Sequence, residues 1–143
     1  PYVSEAIIEI KVQGADSSLH ILTKTVDMEN LFANSDVISI HIPKADKPVI
    51  GIDELEKLKK GVLLINTARG GVFDEEAILV GLASGQIGGA GLDVFVGEPT
   101  PRLEILTHPK ISLTPHIGGS TAEAQENVGK ELAGLIINHF QKM

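Results

Sequence analysis

Val62-Leu63-Leu64-Ile65-Asn66-Thr67-Ala68-Arg69-Gly70-Gly71 sets four consecutive aliphatic residues directly before a polar loop that ends in paired glycines. The run is too short for a helix and rich enough in branched residues to predict a buried strand. Three further runs share its character: Val37-Ile38-Ser39-Ile40-His41-Ile42 before it, then Gly89-Ala90-Gly91-Leu92-Asp93-Val94 and Ile111-Ser112-Leu113-Thr114 after it. Helical stretches separate the first three. Asp53 to Lys60 carries Leu55 and Leu58 three apart and is closed by Gly61, which predicts a short helix with a glycine stop. Asp74 offers an N-cap to Glu75-Glu76-Ala77-Ile78-Leu79-Val80-Gly81-Leu82, with acids at the positive end of the helix and Gly85 after it. Strand, helix, strand, helix, strand is the pattern of a parallel α/β sheet.

Outside this centre the hydrophobic period changes. Ile8, Ile10 and Val12 alternate with Glu9, Lys11 and Gln13, and after a turn at Gly14 to Ser18 the stretch Leu19 to Val26 supplies the second arm of a hairpin. A helix over Ser4 to Gln13 is the competing reading. Met28, Leu31 and Phe32 after Asp27 predict one or two helical turns leading into the first parallel strand. At the other end Ser120-Thr121-Ala122-Glu123 reads as a capping box opening a long helix with Val128, Leu132, Leu135, Ile136 and Phe140 on one face. That face is expected to pack on something.

Composition agrees with the central pattern. Ile, Leu and Val supply 43 of the 143 residues, whereas Phe, Tyr and Trp supply 5, an aliphatic excess expected of buried parallel strands. The formal net charge of −7, without a basic block, argues against nucleic acid or an anionic membrane surface as partner. No apolar run reaches the roughly 20 residues that span a bilayer, and the first residues form no signal peptide, so a soluble protein is expected. With no cysteine, thiolate catalysis, disulfides and cysteine-based zinc sites are excluded, which suits the reducing cytoplasm.

In open parallel sheets ligand groups gather beyond the carboxyl ends of the strands. Those ends carry His41-Ile42-Pro43, then Asn66-Thr67-Ala68-Arg69-Gly70-Gly71, then Asp93-Val94-Phe95-Val96-Gly97-Glu98-Pro99, then Pro115-His116-Ile117-Gly118-Gly119. Taken singly, Arg69 reads as a surface charge, Glu98 as a solvated loop residue and His116 as a turn histidine. Their joint occurrence at successive strand ends points to a site. Eight of the 15 glycines lie between residues 70 and 97, where a cofactor could approach backbone closely; tight turns between packed elements are the plainer account. His20, His108 and His139 have no such placement. No histidine pair has the spacing of a zinc-binding helix and the acids are dispersed, so no metal is expected. The Gly-x-Gly-x-x-Gly dinucleotide fingerprint occurs nowhere in the chain.

These residues resemble the NAD-dependent D-isomer-specific 2-hydroxyacid dehydrogenases. The resemblance is carried by Ser35 to Pro43, by Ile65 to Asp74, by Gly91-Leu92-Asp93-Val94-Phe95 with Glu98-Pro99, and by Leu113 to Thr121 with Glu123-Ala124-Gln125-Glu126-Asn127. It implies NAD as cofactor and a small 2-hydroxy acid or 2-oxo acid as substrate. It further implies that Arg69 binds the substrate carboxylate and carbonyl oxygen, that His116 exchanges the hydroxyl proton, and that Glu98 hydrogen-bonds and orients the imidazole. On the cofactor side it implies Thr67, Ala68, Arg69 and His116 along the cofactor, Asp93 on the nicotinamide carboxamide, Gly118 and Gly119 near the ring, and His41 and Pro43 on the adenosine side.

Two departures stand out. Lys44-Ala45-Asp46-Lys47-Pro48 lacks the threonines that follow Pro43 in the family, which puts a phosphate contact there in doubt. At the front, the family's Pro-Tyr-Val-Ser segment follows directly on the strand that ends in the ribose-binding acid, so Pro1 would begin just past the fingerprint. The resemblance then makes residues 1–119 the second half of an NAD-binding domain, a partial Rossmann-like, doubly wound parallel sheet lacking its first Gly-rich βα unit. Residues 120–143 become the C-terminal helix that returns to a substrate domain. An open edge at the Val37 to Ile42 strand, a detached hairpin and pairing with another copy, as a homo-oligomer such as a homodimer, or with the missing half are expected. So is inactivity of these 143 residues alone, the other reading being a non-catalytic, self-associating module.

Overall fold

Alternation at the amino end and aliphatic runs in the middle produce two separate sheets. The computed structural model describes residues 5–11, 18–44 and 46–141. Strands β1 (Glu5–Lys11) and β2 (Ser18–Lys24) pair antiparallel from Glu5↔Lys24 to Lys11↔Ser18. The hairpin therefore prevails over the helix, while Val12, Gln13 and most of the expected turn lie outside the described residues. The ribbon leaves Ile7, Leu19 and Leu22 exposed.

Helix α1 (Met28–Asn34) begins where Asp27 accepts the Asn30 N–H at 2.8 Å, and it buries Phe32. It leads into β3 (Val37–Ile40), which with β4 (Val62–Asn66), β5 (Ile87–Leu92) and β6 (Ile111–Leu113) forms a parallel sheet of order β3-β4-β5-β6. The first strand is shorter than its sequence suggests. Ile40 pairs with Asn66, the last residue of β4, so His41 and Ile42 have no ladder to extend. The third begins two residues earlier, at Ile87, because a register shift opposite Val62 and Leu63 absorbs Gly88. As expected, β3 lies at an edge of the four-stranded sheet, and the hairpin stands apart from it.

The connection from β3 to β4 contains a 3₁₀ helix over Ile52–Lys57 rather than the longer stretch to Lys60. Its start is fixed by the Glu54 carboxylate, which accepts the Gly51 N–H at 3.1 Å. Helix α2 (Glu75–Ser84) is capped by Asp74, which accepts the Glu76 N–H at 2.9 Å, and stops at left-handed Gly85 with φ 75°. Between β5 and β6 lies a single turn, α3 (Leu103–Leu106), that periodicity did not reveal.

One face of the sheet is covered and the other is open. Ile38, Ile40, Leu64, Ala90 and Leu92 point into a core shared with Leu55, Phe73, Ile78, Leu82 and Ile105, whereas Val37 and Leu63 on the opposite face are about half exposed. Helix α4 (Ala122–Gln141) starts one residue later than the capping box implies, since Thr121 rather than Ser120 accepts the Ala124 N–H at 3.1 Å. It buries none of its residues; Val128, Leu132, Leu135, Ile136 and Phe140 stay exposed, so the packing expected of that face is not found among the described residues. No helix there is long and apolar enough to cross a membrane.

Candidate active site

The site is assembled by side chains that fold loops back on themselves at the carboxyl ends of β4, β5 and β6. Asn66, 2% exposed at the end of β4, accepts the Ala68 N–H on Oδ1 at 3.0 Å and donates Nδ2 to the Arg69 carbonyl at 2.9 Å. The loop is thus wound around a buried amide and throws the Arg69 guanidinium outward, where Nη1 donates to the Ala68 carbonyl at 2.6 Å. Gly70 then passes over the next loop so closely that a Cβ there would sit 2.0 Å from the Phe95 carbonyl oxygen. Only glycine fits that approach.

After β5, the Phe95 N–H donates to Glu98 Oε1 and the Val96 N–H donates to Glu75 Oε1, each at 2.7 Å. The other oxygen of Glu98 meets His116 Nδ1 at 2.7 Å. His116 itself has φ 53°, a left-handed conformation that costs an L-residue roughly 1–2 kcal/mol. Asp93 over-determines that turn: Oδ1 accepts from Thr114 Oγ1 at 2.6 Å and from the Ile117 N–H at 2.9 Å, while Oδ2 accepts the Gly118 N–H at 3.0 Å. Strained residues held by such ties cluster at functional sites, which makes His116 a candidate.

Both acids are held in their charged form. The His116 hydrogen bond, followed by that from Phe95, keeps the Glu98 carboxyl below its ordinary range. For Asp93 burial acts upward, but the bonds from Thr114, Ile117 and Gly118, with the nearby His116, together outweigh it and hold the group low.

Arg69, Glu98 and His116 line one groove of about 440 Å³, together with Lys44 and Asp46. On its other flank the Glu98–His116 pair borders a more apolar cavity of about 480 Å³ walled by Pro99, Pro101, Leu106 and Leu113. Thr67, Asp93 and Thr114 line a smaller cavity of about 150 Å³ at the same strand ends. Gly118 adjoins Asp93, and Gly119 has open space around it. Ala68 packs against the core. His41 and Pro43 follow β3 and line none of these cavities; His41 Nε2 bonds Ser39 Oγ at 2.8 Å. Among the described residues there is no cluster of His, Cys, Asp and Glu that could hold a metal.

Two residues essential to this architecture escaped sequence reasoning. Asn66 stood inside a recognised motif without an assigned task, and Glu75 looked like an ordinary helix-start acid. Chemically, the arrangement offers an imidazole whose Nδ1 is engaged by a carboxylate, leaving Nε2 to exchange a proton, next to a guanidinium able to grip an anion.

Residues 6–118 match the model of the D-isomer specific 2-hydroxyacid dehydrogenase, NAD binding domain. The hydroxypyruvate reductase of Thermotoga maritima is 46% identical over 120 residues, covering 80% of this chain and 39% of the relative. The D-3-phosphoglycerate dehydrogenase of Escherichia coli strain K12 is 43% identical over 124 residues, covering 82% of this chain and 30% of the relative. A crystal structure of a glyoxylate reductase from Paecilomyes thermophila superimposes with a TM-score of 0.70 at 39% identity, over 82% of this chain and 35% of that one. The chain thus spans well under half the length of these relatives. With its parallel sheet and loop motifs matched in both sequence and structure, the chain belongs to the D-isomer specific 2-hydroxyacid dehydrogenase family, residues 6–118 matching that family's NAD-binding domain.

Proposed function

We propose that this domain serves a cytoplasmic D-3-phosphoglycerate dehydrogenase of serine biosynthesis, oxidising the 2-hydroxy acid to the 2-oxo acid. The observation that carries the reading is the Glu98–His116 pair facing the same groove as Arg69. NAD, when bound, supplies the hydride acceptor. The residues present fit its nicotinamide end: Asp93 Oδ2 has one recorded donor and retains capacity to accept from a carboxamide, Thr67 shares that small cavity, and the backbone at Gly119 is open.

The chain's own residues then divide the work. Arg69 grips the carboxylate and the oxygen on the reacting carbon through its planar fork. His116 Nε2 takes the hydroxyl proton as the substrate is oxidised and returns it in reduction. Glu98, charged and bonded to Nδ1, fixes the ring's direction and stabilises the imidazolium that forms. The Leu113 to Thr121 motif and the phosphoglycerate dehydrogenase relatives support the choice of substrate. The 46% identity to a hydroxypyruvate reductase favours a second reading in which a smaller 2-oxo acid is reduced.

In the enzyme that carries this domain, kcat/KM for D-3-phosphoglycerate is expected to exceed that for glyoxylate and hydroxypyruvate, measured by NADH absorbance in each direction. Arg69→Ala should lower it by about a hundredfold or more, the scale of losing a charge-stabilising donor at the reacting oxygen. A higher value for hydroxypyruvate would select the second reading; full activity of the variant would overturn the role of Arg69.

A further inference from the structure

Glu75 is the first residue of α2 and only 6% exposed. A favourable interaction with the helix start does not explain its burial, because Glu76, the next residue, supplies an acid there from an exposed position. The buried carboxylate uses one oxygen. Oε1 accepts the Val96 N–H at 2.7 Å from 21 residues away in sequence, and Oε2 has no partner among the described residues. Leaving a buried carboxylate oxygen unsatisfied costs stability, and an apolar side chain of similar volume would avoid that cost.

The bond falls at a telling point of the chain. Phe95 and Val96 are consecutive; the first donates its N–H to Glu98 and the second to Glu75. Two carboxylates therefore fix adjacent amides of one loop, Glu75 from a rigid helix and Glu98 from the loop itself. Glu98 then reaches His116 with its remaining oxygen. Of the other charges near these groups, Arg102 pairs with Glu76 at 2.9 Å and attracts Glu75 only through space, without a hydrogen bond to it, and Asp93 is occupied by the 114–118 turn.

We propose that Glu75 is a positioning residue that moors the Phe95–Glu98 loop to α2 and thereby sets the geometry of the Glu98–His116 pair. The inference rests on the reading of that pair given under Proposed function. It explains why stability is surrendered at a buried acid, since the return is the aim of Glu98 rather than the strength of the fold.

A carbon-13-detected NMR titration of the Glu98 carboxyl group tests this in the wild-type chain and in Glu75→Met, Glu75→Gln and His116→Asn. Hydrogen exchange at the Val96 amide is followed in the same samples. Glu75→Met removes the unsatisfied oxygen but also leaves the Val96 N–H without its acceptor, so global stability should change little, while the Glu98 midpoint moves up toward the ordinary carboxyl range and Val96 exchange speeds on the order of tenfold. Glu75→Gln keeps an acceptor for Val96 and should restore most of the wild-type midpoint, which a purely structural role does not predict. His116→Asn must also move the midpoint upward; if it does not, the pair itself is absent and the reading of the site falls with it. If His116→Asn moves the midpoint and Glu75→Met does not, the positioning role alone is overturned. Should Glu75→Met fail to fold, the wild-type exchange decides: an unprotected Val96 amide overturns the mooring, and a protected one supports it.

Discussion

The loops beyond β4, β5 and β6 and the helix α4 treat their side chains in opposite ways. In the loops, buried Asn66, Glu75 and Asp93 are spent on backbone amides and carbonyls, so polar groups tie one loop to the next. In α4 the apolar row of Val128, Leu132, Leu135 and Ile136 lies exposed, and no packing of it is found among the described residues. Position is over-determined where the candidate chemistry sits. A helix with its own hydrogen bonds persists without tertiary partners only as far as its local propensity allows. Geometry in the first region should therefore be brittle to small changes, and in the second nearly indifferent to them.

The sharpest test of that brittleness is Gly70→Ala. A methyl group at 2.0 Å from the Phe95 carbonyl oxygen meets only the Phe95–Val96 backbone and has no side chain to push away. The two loops must separate, which strains the Val96 bond that ties the 95–98 loop to Glu75 on α2. A loss of about 3 kcal/mol or more in urea unfolding is expected. Amide shifts around Phe95–Glu98 and His116 should change while those of β1 and β2 do not. A neutral Gly70→Ala would break the contrast outright.

How much of this was legible in the sequence follows from the range of each interaction. The four strands, α2 with its Asp74 cap and Gly85 stop, and the hairpin announce themselves by periods and caps that span a few residues. The convergence of Arg69, Glu98 and His116 was legible too, because a parallel sheet brings successive carboxyl ends together. What stayed hidden depends on partners distant in sequence. Glu75 meets Val96 across 21 residues, and nothing near Glu75 distinguishes it from Glu76. Asp93 carried an expected ligand role, but its occupation by the Ile117 and Gly118 amides arises only when the fourth strand lies beside the third. The single turn of α3 is too short to show a period, and the exposed face of α4 has the pattern of a packed helix without its packing.

A second test uses acid, and its expected effect is of middle size. Asp93 and Glu98 both have folded-state pKa values below their ordinary ones. Such groups add stability that is complete above the ordinary carboxylate range of about 4 and is lost as pH falls through the depressed folded values. Asp93→Asn should cost about 2 kcal/mol at neutral pH, since a charged acceptor of three hydrogen bonds becomes an amide with one acceptor oxygen. The gap between wild type and variant should narrow steadily below pH 4, followed by urea unfolding at a series of pH values. A gap independent of pH would mean that Asp93 works by shape rather than by charge.

The finest distinction compares the same exchange, Gly against Ala, in the two regions. In α4 a Cβ at Gly134 would meet nothing within 4 Å beyond the helix's own backbone, and the residue lies in a helix interior. Gly134→Ala should gain about 0.5–1 kcal/mol of helix stability. Because α4 buries nothing, the gain should appear as slower exchange of its own amides and not as a shift of the global unfolding midpoint. At position 116 the order should reverse. His116→Gly and His116→Ala both lose the bond to Glu98, so their difference isolates the cost of φ 53°. Glycine should be the more stable by about 1 kcal/mol. That difference should register in global unfolding, since Asp93 joins the turn to the end of β5. If Ala and Gly at position 116 prove equal, the turn is unstrained. If Gly134→Ala moves the global midpoint, α4 is packed after all, and the two regions no longer differ in the way their side chains suggest.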